Sequence, residues 1–188
     1  MNKPFFLGIA GGSASGKSTF CNILEKELSE LKLKIFHMDD YFKPESERPY
    51  SEAPIVGTMY IDDNHPETID LLKLKLDLSN ALNNNYNVVI IEGLLTLWDK
   101  EIYSKLDLKL FVDCRPDERI VRRLKRNMEW GLTFDEISNV YLDMVRYRHD
   151  EYVEPTKWKA DLIVNGSNIS DMSIKAITQL IKDSCTKL

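Results

Sequence analysis

The residues Gly11-Gly12-Ser13-Ala14-Ser15-Gly16-Lys17-Ser18 fit the spacing G-x-x-x-x-G-K-[ST] in full. Glycines at these places let a backbone curl around an anion at positive φ. Successive N–H groups and the start of a following helix then face that anion. Lys17 can reach the β and γ phosphates of a nucleoside triphosphate, and the Ser18 hydroxyl can meet Mg²⁺. Gly11, Gly12, Ser13, Ala14, Ser15, Gly16, Lys17 and Ser18, with Thr19 adjoining, are therefore candidate nucleotide-binding residues. The bland alternative is a Gly/Ser-rich turn that binds nothing. An apolar run before the motif and a helical pattern after it favour the phosphate loop.

Two further sets of acids end apolar runs. Val88-Val89-Ile90-Ile91 leads into Glu92-Gly93, which places a carboxylate where it can hold Mg²⁺ beside the phosphate loop. Met38-Asp39-Asp40-Tyr41-Phe42 puts two carboxylates at another strand end, and transfer of a phosphoryl group to an alcohol needs a base there. Neighbouring residues on a strand point to opposite sides, so one of the pair should face the phosphate. Loop or capping acids are the bland reading of both. Arg119, Arg122, Arg123 and Arg126 recur at spacings of three and four on one predicted helix face. So many guanidiniums together suit a lid over a transferring phosphoryl group, or else a solvated face paired with Asp117, Glu118 and Glu129.

Alternating strands and helices must position these groups. Strands are predicted from Phe5 to Ala10, Lys34 to Met38, Asn87 to Ile91, Leu108 to Val112 and Leu162 to Val164. Helices are predicted from Thr19 to Leu31, Thr68 to Leu82, Pro116 to about Trp130, Thr133 to about Glu151 and Ser170 to Ser184. Thr133 and Glu136 have capping-box spacing. Strands without polar alternation imply a parallel sheet covered on both faces, with ligands beyond the strands' carboxyl ends. The expected fold is α/β: a doubly wound, five-stranded parallel sheet of the P-loop type with an arginine-bearing lid helix, forming one domain over 1–188. Residues 41–67 are the one long irregular stretch and carry four of the seven prolines. A connection of that length is expected to be functional. Tyr41, Phe42, Tyr50, Tyr60 and His65 are its candidates to line an acceptor site, or to form a packed cluster under the loop.

The chain has 188 residues, enough for a sizeable core, and a net charge of −5, which argues against nucleic-acid binding through bulk charge. Apolar runs fall far short of a membrane helix. Cys21, Cys114 and Cys185 are widely spaced, without the pattern of a disulfide framework or a zinc site, and suit a reducing cytoplasm. No Asn/Thr-Lys-x-Asp guanine motif is present, since Thr156-Lys157-Trp158-Lys159 lacks the acid. Trp158 and the closing helix could serve packing or a homo-oligomer interface equally well.

These residues together resemble the uridine kinase and phosphoribulokinase family over nearly the whole chain. The resemblance lies in Gly8-Ile9-Ala10-Gly11-Gly12-Ser13-Ala14-Ser15-Gly16-Lys17-Ser18-Thr19, Glu92-Gly93-Leu94-Leu95, Lys109-Leu110-Phe111-Val112-Asp113 and Arg119-Ile120-Val121-Arg122-Arg123 with Arg126. It continues in Pro155-Thr156-Lys157 with Ala160-Asp161, and in Asn64-His65-Pro66. It implies ATP- and Mg²⁺-dependent phosphorylation of a nucleoside 5′-hydroxyl, with Asp39 as base, Arg123 on substrate and phosphate, and Asn168 in the adenine loop. Arg122 and Arg126 would join the lid over ATP. Ser18 and Glu92 would hold the metal, and Asp39, Tyr41, Phe42, Asn64, His65 and Arg123 would meet the substrate. The chain departs from the family in three places. An inserted pyrimidine-reading hairpin is missing, because Asn83-Asn84-Asn85-Tyr86 leads directly into a strand. Asn64 stands for a ribose-binding Asp, and Trp130-Gly131-Leu132 for an Arg-Gly-Arg. Asp39-Asp40-Tyr41-Phe42-Lys43-Pro44-Glu45 resembles nicotinamide riboside kinases, in which an aromatic at the Phe42 position stacks on the base. Nicotinamide riboside, pantothenate or a sugar phosphate are the alternative acceptors. A nucleotide sensor without acceptor chemistry is the alternative of another class.

Overall fold

The structure is a computed structural model that describes residues 3–186. Five parallel strands form the main sheet: β1 (Phe5–Gly11), β2 (Leu33–His37), β5 (Val88–Glu92), β6 (Leu108–Asp113) and β7 (Leu162–Asn165), in the spatial order β2-β5-β1-β6-β7. β1 lies at the centre and is buried at every position. Its register sets Ile9 opposite Glu92 on one side and Gly11 opposite Val112 on the other. The phosphate loop and the strand-end acid thus emerge from neighbouring strands at the same height.

Side-chain alternation divides the core between the two faces. Phe6, Val89, Ile91 and Phe111 pack on one face under Leu74 and Leu78 of α2 (Leu71–Ala81) and Ile102 of α3 (Lys100–Lys105). Leu7, Ile9, Ile90 and Leu110 pack on the other under Phe20 and Leu24 of α1 (Lys17–Glu27) and Ile181 of the closing helix, Asp171–Thr186. Each such side chain contributes roughly 1.5–3 kcal/mol on burial. The expected doubly wound α/β architecture is what the chain forms.

Helix starts follow their sequence signals. Asp70 caps α2 by accepting from Lys73 N at 3.0 Å, and Asp99 caps α3. Pro116 opens α4 (Pro116–Glu129). Thr133 and Glu136 form the anticipated capping box at α5 (Phe134–Val140).

Three features differ from the sequence expectation. The stretch 41–67 is not wholly irregular: β3 (Tyr50–Glu52) and β4 (Met59–Ile61) pair antiparallel as a small separate hairpin. α3 lies between the third and fourth sheet strands, where no helix was expected. The helix predicted from Thr133 to about Glu151 is broken up, because after α5 the backbone widens into π turns at Tyr141–Val145 and His149–Val153 with one α turn, Arg146–Arg148, between them. A π turn closes over one more residue than an α turn. Hydrophobic spacing over so few turns does not reveal it.

Candidate active site

β1 runs into the phosphate loop, and the loop runs into α1. Gly16 sits at the helix start with φ 98° and ψ 8°, a conformation that L side chains rarely adopt. Ala14 is also left-handed, at φ 60°, the one non-glycine residue with positive φ among those described. That strain is held by the loop. Left-handed residues in a tight loop turn successive N–H groups toward a common anion. Gly166, from the loop after β7, approaches so closely that any Cβ there would strike the Ser15 carbonyl.

Two cavities meet over this loop. One, of about 580 Å³, is lined by Ala14, Gly16, Lys17, Ser18, Thr19, Ile23, Arg122, Arg126 and Gly166 to Ile169, including Asn168. The other, of about 680 Å³, is lined by Ser13, Lys17, Ser18, Asp39, Phe42, Arg123 and Arg126. The hairpin residues Tyr50, Met59, Tyr60 and Ile61, then Asp63, Asn64, Trp130 and Leu132, stand on its wall too. Lys17, Ser18 and Arg126 belong to both. A group held in one cavity can therefore meet a group held in the other at these three side chains.

Glu92 organises the junction. The residue is 4% exposed. One oxygen accepts from the Ser18 hydroxyl at 3.1 Å and lies 3.8 Å from the Lys17 ammonium. The other lies 2.8 Å from His37 Nδ1. A buried carboxylate beside a hydroxyl is a hard oxygen donor set of the kind Mg²⁺ takes together with phosphate oxygens.

The arginines divide their tasks. Arg123 donates to the Ser13 hydroxyl at 2.9 Å, while its Nε is buried with no partner. Burial first, then repulsion from Arg126, pull its pKa below the usual arginine value, against the attraction of Asp63 and Tyr141. Arg126 is shifted the same way by burial, and Asp39 opposes the shift. Cations held at such a disadvantage are suited to an anion that arrives. Arg122 donates to the Gly166 carbonyl at 3.0 Å and pairs with Glu118, whose other oxygen accepts from the Ser167 hydroxyl. It lines only the smaller cavity.

Arg119 departs from the expected common face. It turns beneath the phosphate loop, 6% exposed, with its guanidinium 3.2 Å from His149 Nδ1. A neutral imidazole satisfies both neighbours, accepting from Arg119 at Nδ1 and donating from Nε2 to Glu154 at 3.2 Å. Burial, then the Arg119 charge, lower the His149 pKa to about 4.

Of the acids after β2, Asp39 lines the larger cavity and Asp40 does not. The segment is a 3-10 turn, Met38–Tyr41, not a strand end. That turn also sets one expected substrate residue, Tyr41, outside the cavity lining. Tyr41 packs into the core, 9% exposed, with its hydroxyl donating to Asp77 of α2 at 2.8 Å. His65 likewise lies outside the cavity lining. Its Nδ1 accepts from Glu67 N at 3.2 Å, capping a short turn, and its ring meets Tyr152 edge-on. Phe42, Asn64, Tyr50 and Tyr60 stand in the lining as expected. Sequence reasoning missed Asp63, Met59, Leu132, Ile137 and Val140 on the cavity, and His37 against Glu92. The acid beside Asn64 was the only available signal for Asp63.

The profile described as "Phosphoribulokinase / Uridine kinase family" matches residues 65–173. A protein named uridine kinase from Clostridium botulinum (strain Kyoto / Type A2) is 32% identical, over 97% of this chain and 100% of its own. Another so named, from Lactobacillus helveticus, is 30% identical over 95% of this chain and 94% of its own. Among solved structures, one described as a possible uridine kinase from Bacillus stearothermophilus superposes with a TM-score of 0.59 at 18% identity, covering 87% of this chain and 89% of that one. A shikimate kinase from Bacteroides thetaiotaomicron gives a TM-score of 0.53 at 17% identity, covering 98% and 99%. Both likenesses bear on the fold. The chain is a P-loop phosphotransferase and belongs to the phosphoribulokinase and uridine kinase family.

Proposed function

We propose that this chain transfers the γ-phosphate of ATP to the 5′-hydroxyl of a pyrimidine nucleoside, uridine or cytidine. The observation that carries the reading is the meeting of two cavities at Lys17 and Ser18, with a carboxylate, Asp39, on the wall of one and not the other. The relatives named uridine kinase supply the acceptor class.

In this reading the smaller cavity takes ATP. Backbone N–H groups of Gly11 to Thr19 hold its phosphates, and Ile23, Asn168 and Ile169 border its base. Arg122 fixes the loop at Gly166 beside it. Ser18 and Glu92 would hold Mg²⁺ with the phosphate oxygens, and the ion when bound neutralises their charge. The larger cavity takes the acceptor, with 41–67 forming one wall and the lid region 116–132 the other. Asp39 accepts the proton of the acceptor hydroxyl as the oxygen attacks. Lys17, Arg123 and Arg126 face the charge spread over the transferring oxygens. Closing the lid region over the site excludes water as a competing acceptor. The three cysteines carry free thiols, in keeping with the cytoplasm as the compartment proposed.

Product analysis tests this. Purified protein with Mg·ATP is expected to convert uridine or cytidine to the 5′-monophosphate with matching ADP release. Turnover only with nicotinamide riboside, pantothenate or ribulose 5-phosphate would move the acceptor. ATP binding with no acceptor turned over would favour a sensor.

A further inference from the structure

The junction between α4 and α5 is unusually apolar for a surface. Met128, Trp130, Leu132 and Phe134 are between 44% and 67% exposed, and Trp130 is the most exposed of them. Scattered exposed apolar residues need no explanation, but a cluster on the rim of a cavity does. Trp130 and Leu132 both line the larger cavity. Their turn is fixed from within. Trp130 N and Leu132 N both donate to the Asn127 carbonyl at 3.2 Å, and Gly131 between them takes φ 94°.

The Trp130 ring is held as well. The Arg126 guanidinium carbon lies 4.8 Å from its centroid, within the range of a cation–π contact. With the cation on one face and 67% of the residue exposed, the indole keeps a face for a ligand. Charged groups that could read a base by hydrogen bonds are few. Beyond Lys17, Asp39, Arg123 and Arg126, the charged lining side chains are Asp63 and Glu136. Asp63 pairs with Arg48 at 3.0 Å, and Glu136 is engaged by Thr133. Of the neutral polar groups, Asn127 Oδ1 accepts from Arg126 Nε at 3.1 Å and the Tyr60 hydroxyl donates to Asp143 at 2.8 Å, and beside Ser13, Ser18, Asn64 and the Tyr50 hydroxyl the rest of the lining is ring and aliphatic surface. A flat heterocycle on such a surface is gripped by stacking.

We propose that Trp130, backed by Arg126, is the wall of the acceptor cavity on which the acceptor's base stacks. The inference deepens the nucleoside kinase reading and rests on it. Its recognised ligand is a planar heterocyclic base, chosen by its π face more than by its edge.

The test compares uridine with methyl β-riboside, which has the same primary hydroxyl and no base. Trp130→Ala is expected to lower kcat/KM for uridine by about tenfold, the scale of one stacked base. The loss for methyl β-riboside should be much smaller, and Trp130→Phe should recover most of the uridine activity. A role confined to folding or to placing Arg126 would lower both acceptors equally. A second readout uses the Trp98→Phe/Trp158→Phe protein, in which Trp130 is the only tryptophan. Uridine should quench its emission saturably and ribose should not. Equal losses for the two acceptors, or emission unmoved by a nucleoside that is turned over, overturn the inference alone. Failure of the unmutated chain to phosphorylate any nucleoside contradicts the kinase reading and removes the inference with it.

Discussion

The Ser18 hydroxyl donates to Glu92 at 3.1 Å across 74 residues of sequence. Parallel pairing of β1 with β5 creates that contact, because it aligns the start of the phosphate loop with a strand-end acid. Glu92→Gln keeps the shape and removes the charge. It is expected to lower kcat about 10- to 100-fold, as loss of a metal-supporting group does, and to raise the Mg²⁺ concentration needed for half-maximal rate. A magnesium titration of the variant checks this. An unchanged Mg²⁺ requirement would remove Glu92 from the metal's neighbourhood.

Arg123 sits with a buried, unpartnered Nε and one bond, to Ser13. Removing a cation that faces a transferring phosphoryl group lowers the rate by about a thousandfold. Arg123→Ala should show that loss in kcat with a much smaller change in ATP affinity. Arg123→Lys should recover little, because an ammonium does not reproduce the planar fork. Loss of ATP binding with kcat unchanged would make Arg123 a ground-state ligand only.

The hairpin wall of the larger cavity is tied down by an ion pair whose acid is buried. Asp62 is fully buried and lies 2.6 Å from Arg148 Nε, which comes from the segment of widened turns. The Tyr60 hydroxyl, two residues earlier, donates to Asp143 of the same segment at 2.8 Å. Breaking one partner of a buried pair leaves an uncompensated charge and costs about 3–5 kcal/mol. Arg148→Ala should therefore lower the thermal midpoint strongly. It should also raise KM for the acceptor more than KM for ATP. Double substitution with Asp62→Ala should recover part of the stability.

His149 supplies a pH test. It faces Arg119 from α4, Glu154, Asp150 and Lys157 from its own stretch, and Asp113 from β6. Its pKa in the folded chain is lowered to about 4, while the unfolded chain titrates near 6.5. The unfolded state therefore binds the extra proton first as pH falls. Stability from this group is full above pH 6.5 and is lost on descending from about 6.5 to about 4. His149→Gln should flatten that part of the stability–pH curve in urea titrations. An unaltered curve would contradict a buried neutral histidine.

The parts of the fold carried by long apolar runs were legible in the sequence. Val88 to Ile91 and Phe5 to Ala10 could be little else than buried strands, and the glycine spacing marked the loop between strand and helix. β3 and β4 were not legible, because each has three residues and mostly exposed or half-buried side chains, so burial imposes no alternation to read. α3 has six residues and only Asp99 to announce it. Helical spacing placed four arginines together, but only the tertiary packing decides that Arg119 turns inward while Arg123 and Arg126 face the cavity. Tyr41 and His65 were drawn into the site by their neighbours in sequence. A tight 3-10 turn and a capping contact point them elsewhere. Met59, Ile61, Ile137 and Val140, part of the cavity's apolar wall, come from the hairpin and α5, where no chemical motif lies.

The central claim is phosphoryl transfer from ATP to an acceptor hydroxyl with Asp39 as base. The most direct measurement is single-turnover transfer from γ-labelled ATP to uridine by the unmutated chain and by Asp39→Asn, with ATP affinity measured for both. The account predicts labelled uridine 5′-monophosphate from the first, a loss of about 100-fold or more in the second, and ATP binding unchanged between them. Transfer at a near-normal rate by Asp39→Asn, or no transfer to uridine by the unmutated chain while it binds ATP, would contradict it.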